Sequence, residues 1–476
     1  MGTARHHLLH VFLPRMPLIV PMQEVLQMLL GAVFILLPAV LMLVAGWSAL
    51  RTGLALLVFA LLSSLTVRGM ETLPYLLEGA VKGLKVSLIA FAAYVFYLAY
   101  REAGYAENLQ TRLRGKGLER AVLAVYLGGF LEAVSGYGVP AAVIAPLLAS
   151  MGLSETRALS VALLGHSWAV PFASLGVPTL ALSMVTDVDH ATLSTSTALL
   201  LSLPFATITY LAAAMSGVPR SRSVALAALS AALGVVGASM AGYSALFAGS
   251  IGLLAMLAVT GRLGAARSLT PYIVLALLLT LIALLGAAAI EAQVAVVLLS
   301  SLVVMLPKGR LGLGAERGGL LLLMPALRTI VTLTILSAAA VLAGKSGLLT
   351  SLATRLAGLG PIYPTLAPLI GFLGAYVSGS CTTSNLLFGL LQAEFAREAG
   401  VNALLLLSLH NAGGGIGSVA SPAKVATGAS TVRGAREGEA ARETFRVVLP
   451  PVLVLCLEGA LLSLAPFGPL WARDPP

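Results

Sequence analysis

Gly371-Phe372-Leu373-Gly374-Ala375-Tyr376-Val377-Ser378-Gly379-Ser380-Cys381-Thr382-Thr383-Ser384-Asn385 sets hydroxyls, glycines and an amide inside a run otherwise greasy enough to lie in a membrane. A related pattern stands about 240 residues earlier, at Gly129-Phe130-Leu131-Glu132-Ala133-Val134-Ser135-Gly136-Tyr137-Gly138-Val139-Pro140. Each is followed, some 30 residues on, by an apolar stretch holding one His and then a Pro at the same spacing, His166 to Pro178 and His410 to Pro422. Paired, interrupted hydrophobic segments in two halves of a chain point to the binding site of a membrane transporter.

The surroundings support a membrane setting. The chain of 476 residues is 58% hydrophobic and 10% charged. Soluble domains carry about 25% charged residues, so the composition predicts an all-α polytopic membrane protein. Apolar runs of the length needed to cross hydrocarbon recur throughout. Cys381 and Cys456 both sit in apolar stretches, which gives no disulfide framework and no Cys-rich metal site. The net charge of +10 lies in short loops between apolar runs, so it reads as orientation of a membrane protein rather than as a nucleic-acid surface. Residues 1–25 carry Pro14, Pro17 and Pro21 and no clear small-residue cleavage site, so no cleavable signal peptide is expected.

Periodicity and breakers predict about twelve spanning helices, two re-entrant hairpins and two broken helices. The helices lie near 26–46, 52–67, 82–100, 190–217, 224–243, 245–260, 268–287, 292–307, 319–343 and 447–469. The hairpins are 122–152 and 364–396, and the broken helices about 156–182 and 402–428. Shifting the chain by about 243 residues lays Lys85 on Arg328, Leu147-Leu148 on Leu390-Leu391, and Leu163 on Leu406. The expected organisation is an N-terminal segment 1–25, a first repeat 26–217, a link 218–267, a second repeat 268–470 and a tail 471–476. Loops rich in Lys and Arg at 101–120, 219–223, 260–267, 308–317 and 433–446 fall on one side, which should be cytoplasmic. Glu71, Glu78, Asp187 and Asp189 then fall on the other, and both termini come out external. The helices entering the two hairpins run in opposite directions, so the repeats are inverted.

A hairpin that dips into the bilayer leaves backbone groups unpaired at its tip, tolerable only against protein or a water-filled cavity. Gly136, Gly138 and Gly379 supply permissive backbone there. Tyr137 completes the first tip. Ser135, Ser378, Ser380, Thr382, Thr383, Ser384 and Asn385 supply polar groups, and helix N-termini after each tip would favour an anion. The plainer reading is close helix packing through small residues. Pro171 and the run Gly413-Gly414-Gly415 should break their helices. His166, with Ser167, and His410, with Asn411, occupy equivalent places, and an intramembrane His is a proton-handling candidate. Glu132 is costly when charged in such a run, which suits proton coupling; the plainer reading is a hydrogen-bonded brace. Lys85, Arg328 and Lys424 read as snorkelling cations. HExxH and CxxC spacings and a phosphate-binding GxxxxGK[ST] are absent, so neither a metal nor an ATP-driven pump is expected, and no cofactor. An intramembrane enzyme built on His166, His410 and Glu132 and a passive channel are the alternatives from other classes.

The first motif, Gly129-Phe130-Leu131-Glu132 through Ser135-Gly136-Tyr137-Gly138-Val139-Pro140, resembles the G-x-F-x-E-G-x-A-G-F-G-T-P signature of the L-lactate permease family. Gly379-Ser380-Cys381-Thr382-Thr383-Ser384-Asn385-Leu386-Leu387-Phe388-Gly389 is similar to that family's G-S-D-T-S-S-N-x-L-F-G segment. Leu175-Gly176-Val177-Pro178, and Asn411 with Gly414-Gly415 and Ser421-Pro422, match two further blocks. The resemblance runs in order from about residue 80 to 430. It implies proton-coupled uptake of L-lactate, D-lactate or glycolate. Both tips, Ser167, Asn411, Gly413 and Gly414 are the expected substrate contacts. A more distant similarity to the ion transporter superfamily of dicarboxylate and citrate carriers implies elevator-type movement, often in homodimers. It also makes a sodium-coupled di- or tricarboxylate carrier the alternative within transport. Where the family carries Asp in the second tip this chain has Cys381, and where it carries Asn-Thr this chain has His166-Ser167. Proton handling then falls to Glu132 or a histidine.

Overall fold

The computed structural model describes residues 22–105, 108, 117–136, 138–240, 244–259, 267–285, 289–306, 319–432 and 434–464. Tyr137 and most of the basic loops, with Arg112, Arg114, Lys116, Arg262, Lys308, Arg310, Arg317 and Arg433, lie outside these. So do the first 21 residues and the tail. Every regular element among the described residues is a helix. In chain order, α1 is Met22–Ala39, α2 Ala49–Arg68 and α3 Thr72–Glu102. The first hairpin comprises α4 (Leu118–Val122), a π-helical turn (Leu123–Leu127), α5 (Gly128–Ser135) and α6 (Val139–Ser150). The first broken helix follows as α7 (Glu155–His166), a 3-10 segment (Ser167–Phe172) and α8 (Ala173–Thr186). A bent pair, α9 (His190–Leu200) and α10 (Ser202–Met215), leads to α11 (Arg220–Ala238) and α12 (Ser244–Val259).

The later part continues with α13 (Thr270–Leu284), α14 (Ile290–Met305) and α15 (Gly319–Lys345). A short α16 (Leu348–Leu356) precedes the second hairpin, α17 (Tyr363–Ser378) and α18 (Cys381–Ala399). The second broken helix is α19 (Ala403–Val419) with α20 (Pro422–Ala429), and α21 (Glu437–Leu464) closes the fold. By length and composition, six spans among the described residues can cross a membrane, or eight if each of two bent pairs is one span. The chain is therefore a polytopic membrane protein. Leucines and valines of α1, α2, α13 and α14 remain exposed, as expected of faces turned to lipid.

The helices form two groups. In one, α3 packs along α15 and α14, and α2 along α15. Added methyl groups at Gly79 and Gly83 of α3 would meet the backbone of α15 at 2.7 Å, so the two helices touch main chain to main chain. The other group holds both hairpins, both broken helices and α9 to α12 and α21. Its centre is α19, packed between α17, α18 and α9. The groups meet where α3 packs on α5 and α8, and α15 on α18. Two polar clasps cross the seam. Lys82 Nζ of α3 lies 2.7 Å from Asp187 Oδ1 just past α8, and Ser351 of α16 donates to Gln27 Oε1 of α1 at 3.0 Å.

The breaks differ from the sequence expectation. The triple glycine does not interrupt α19, which runs through Gly413-Gly414-Gly415 to Val419. Tertiary packing outweighs propensity there: Gly413 abuts the Pro368 carbonyl, Gly415 the Pro171 ring and Gly417 the Phe372 backbone. The break comes later, where Ser421 is extended and caps α20 by accepting from the Lys424 amide. In the first broken helix Pro171 sits within the 3-10 segment. The main-chain reversal follows at Ser174, Leu175 and Gly176, with φ of 50°, 65° and 91°. Left-handed Ser and Leu are strained, at about 1–3 kcal/mol each, and such strain gathers at functional sites.

Candidate functional site

Both tips are built by a short left-handed turn. In the first, α5 ends at Ser135, Gly138 takes φ 77° and α6 begins at Val139. In the second, Gly379 takes φ 71°, Ser380 is extended and its hydroxyl accepts from the Thr383 amide to cap α18. A side chain at either left-handed glycine would be strained. The first tip is braced from the broken helix, where Ser174 Oγ donates to the Ser135 carbonyl at 3.0 Å. The second tip faces the other break, with Ser421 and Ala423 the nearest side chains to Gly379.

Between the tips lies a cavity of about 370 Å³, within the size range of small-ligand sites. Gly136 and Gly138 line it from the first tip, Ser378 to Thr383 from the second, Ser174, Val177 and Pro178 from one break, and Ala423, Lys424 and Thr427 from the other. Ala90 of α3 and Arg328, Thr329 and Thr332 of α15 close it from the helix group without the hairpins. Helices α6, α8, α18 and α20 all start at this cavity. The first amides of a helix have no intrahelical partner and carry partial positive charge, so the wall favours an anion.

Three charged side chains set the electrostatics. Glu132 lines the cavity from α5 with a side chain 2% exposed, and its Oε1 lies 3.6 Å from Lys424 Nζ. Lys424 also donates to Ser418 Oγ at 3.3 Å. Arg328 brings a second cation from α15. With one carboxylate and two cations, the wall carries a net positive charge when all three are ionised.

Lys424 and Arg328, read from the sequence as snorkelling cations, both line the cavity: Lys424 follows a kink before α20 and is largely buried, while Arg328 is exposed on α15. Lys85 lies 3.4 Å from Glu291.

Several hydroxyls and amides of the expected contact set do not line the cavity. Ser135 and Ser167 donate to the carbonyls of Leu131 and Leu164 within their own helices, and Ser384 donates to the Gly371 carbonyl. Asn385 and Asn411 are fully buried behind the wall. There Asn385 donates to the Pro178 carbonyl and to Asn411 Oδ1, both at 2.8 Å. Asn411 donates to Thr179 and Thr197, and Cys381 Sγ contacts the Asn411 carbonyl at 3.5 Å. These amides tie both broken helices to the second hairpin. Gly413 and Gly414 serve packing, Gly414 standing behind Cys381.

The two histidines part company. His166 sits behind Glu132, Nε2 to Oε2 4.0 Å. His410 is fully buried elsewhere, its Nδ1 3.3 Å from Gln392 Nε2 and its ring near Phe388. The two were expected to be equivalent; a carboxylate stands beside only one of them. No cluster of three or more His, Cys, Asp or Glu fit to hold a metal occurs among the described residues.

Comparison with known proteins agrees with this architecture. The family model for L-lactate permease matches residues 24–275 and 320–464. The chain is 26% identical to an L-lactate permease of Escherichia coli over 442 residues, 74% of this chain and 79% of that protein. It is 24% identical to an L-lactate permease of Streptococcus iniae over 396 residues, 71% and 83% of the two chains. A shorter match, 37% identical over 118 residues, joins it to a glycolate permease of Escherichia coli and spans 25% of this chain and 21% of that protein. With both hairpins and both broken helices inside the matched residues, the chain belongs to the L-lactate permease family.

Proposed function

We propose that this protein is a secondary transporter that carries a small monocarboxylate, lactate or glycolate, across the cell membrane together with protons. The observation that carries the reading is the cavity: two hairpin tips, two helix breaks and the cations Arg328 and Lys424 converge on about 370 Å³. A carboxylate of a few heavy atoms suits that volume and charge, with tip and α15 hydroxyls available to a substrate hydroxyl. The names of the relatives support the substrate class.

The order of elements supports two inverted halves and twelve spans. Helices α1 to α3, a hairpin, a broken helix and a bent pair are followed, after α11 and α12, by α13 to α15, a hairpin, a broken helix and α21. The group holding the hairpins would move as a body against α1 to α3 and α13 to α15, exposing the cavity to each side in turn. On this reading the basic loops are cytoplasmic, and two copies pair through α1 to α3 and α13 to α15.

Uptake of labelled lactate or glycolate by proteoliposomes tests the proposal. Accumulation should follow an inward proton gradient and not a sodium gradient; sodium-driven uptake of a di- or tricarboxylate instead would refute it. Cys381 gives a second check, because it lines the cavity while only 2% exposed. In a Cys456→Ala background a maleimide should react slowly and lower uptake about tenfold or more, the size of effect expected when a bulky group fills a substrate site. Lactate should slow the reaction. Full labelling with undiminished uptake would argue that the substrate passes elsewhere.

A further inference from the structure

We propose that Glu132 and His166 together hold the transported proton, and that filling this site hands Lys424 from Glu132 to the substrate carboxylate. The inference rests on the transport reading above and deepens it. Glu132 Oε2 and His166 Nε2 face each other at 4.0 Å, with side chains 2% and 0% exposed. Both atoms are buried with no hydrogen-bond partner. His166 Nδ1 lies 2.7 Å from the Ala162 carbonyl oxygen. A carbonyl only accepts, so that bond assigns the hydrogen to Nδ1 and leaves a lone pair on Nε2 of the neutral ring. Two acceptors thus confront each other at 4.0 Å, and a proton between them would let the pair close by about 1 Å into a hydrogen bond. Buried polar atoms left unpaired are costly, so the pair is poised to take that proton.

The other carboxylate oxygen connects this gap to the cavity. Glu132 Oε1 lies 3.6 Å from Lys424 Nζ, and Lys424 shares the cavity wall with Arg328. Without the proton, Glu132 and Lys424 cancel and Arg328 alone faces an entering anion. With it, Lys424 loses its counter-charge, and a monocarboxylate takes the place of Glu132 as its partner. Proton and anion then enter as a pair of zero net charge, and the empty site closes on the Glu132–Lys424 pair.

No other described side chain competes for the role at this spot. Among the elements packed on α5, the 3-10 segment, α6, α8 and α12 carry no Asp, Glu, His, Lys or Arg. Besides His166, α7 carries Glu155 and Arg157 in its first turn, at the opposite end of the helix, with Arg157 3.6 Å from Glu443, and Arg101 of α3 pairs with Glu102. On α3, Lys82 is held by Asp187 and Glu78, and Lys85 by Glu291. Cys381 reaches toward Asn411, and Tyr126, one turn before α5, bonds Ser230.

Calorimetric titration of the purified full-length protein with lactate and glycolate, across pH and in buffers of differing ionisation heat, tests this. The wild type should take up about one proton per anion bound, and its affinity should fall about tenfold per pH unit once the proton site empties. In Glu132→Gln, which keeps the shape but cannot ionise, Lys424 is always available. Affinity should then be flat with pH and equal to the acid-side wild-type value, while proton-driven accumulation is lost. His166→Asn should shift the wild-type profile to lower pH. A Glu132→Gln protein that keeps the wild-type slope overturns the proton site and leaves the transport reading standing. Anion binding to the wild type that takes up no proton at any pH, on the alkaline side included, does the same, with no variant needed. A wild type that binds neither anion at any pH removes the transport reading, and this inference with it.

Discussion

Replacing Lys424 with alanine is expected to lower carboxylate uptake about 30-fold or more, because truncating one member of a buried charge pair costs about 2–5 kcal/mol and tenfold corresponds to about 1.4 kcal/mol. Lys424 is 16% exposed, lies 3.6 Å from Glu132 and lines the cavity beside Arg328. Its loss has two consequences. The substrate loses one of two cations, and Glu132 is left as a buried carboxylate whose counter-charge is gone, a change worth about 3–5 kcal/mol unless it takes a proton. The effects separate in the double variant Lys424→Ala/Glu132→Ala, which should regain thermal stability in detergent without regaining uptake. Melting curves and proteoliposome uptake, read side by side, decide it. Near-normal uptake by the single variant, or restored uptake by the double, would show that Lys424 only balances Glu132 and never meets substrate.

Gly371→Val should be the most damaging change outside the cavity. A Cβ at Gly371 would run into the His410 carbonyl, and on the facing side Gly413 and Gly417 meet the Pro368 and Phe372 backbones in the same way. Helices α17 and α19 therefore touch through their main chains where 368–372 cross 410–417. Forcing a branched side chain between them must spread the second hairpin from the second broken helix, at about 3 kcal/mol or more. Little monodisperse protein should survive size exclusion, and the melting point of what remains should drop by several degrees. Gly438→Ala is the control, since nothing stands within 4 Å of its added methyl. Equal behaviour of the two variants would mean that α17 and α19 are free to separate.

How much of this was legible beforehand depends on the kind of information. Two matched motifs sufficed to place the hairpins, since a polar, glycine-bearing tip in an apolar run has few other uses. The helix order also followed, because apolar runs and the breakers between them are local features. Glycine was harder to interpret. Gly413-Gly414-Gly415 reads as a helix breaker by propensity, yet the neighbouring Pro368 and Pro171 make it a packing surface. The left-handed turn at Ser174 and Leu175 had no signal of its own, since neither residue favours that conformation. Ser135, Ser167 and Ser384 hold the carbonyls of Leu131, Leu164 and Gly371, a role that residue type and spacing do not distinguish from substrate contact.

By itself, then, the sequence determined the membrane setting, the two interrupted regions, the helix order and the family, because each is written in composition, periodicity or a contiguous motif. Only the tertiary structure decided which polar residues meet at the cavity. Lys424 comes from a helix that starts after a kink, Arg328 from the opposite helix group, and Glu132 from the first hairpin. They lie far apart along the chain and are joined by no shared pattern. Likewise His166 and His410 stand in similar sequence surroundings, each in an apolar stretch with a Pro 12 residues on, and only the fold sets a carboxylate 4.0 Å from one and a glutamine beside the other. Distances between distant segments arise from helix packing, where backbone contacts at small residues fix how closely the segments approach, and no local stretch of sequence encodes that sum.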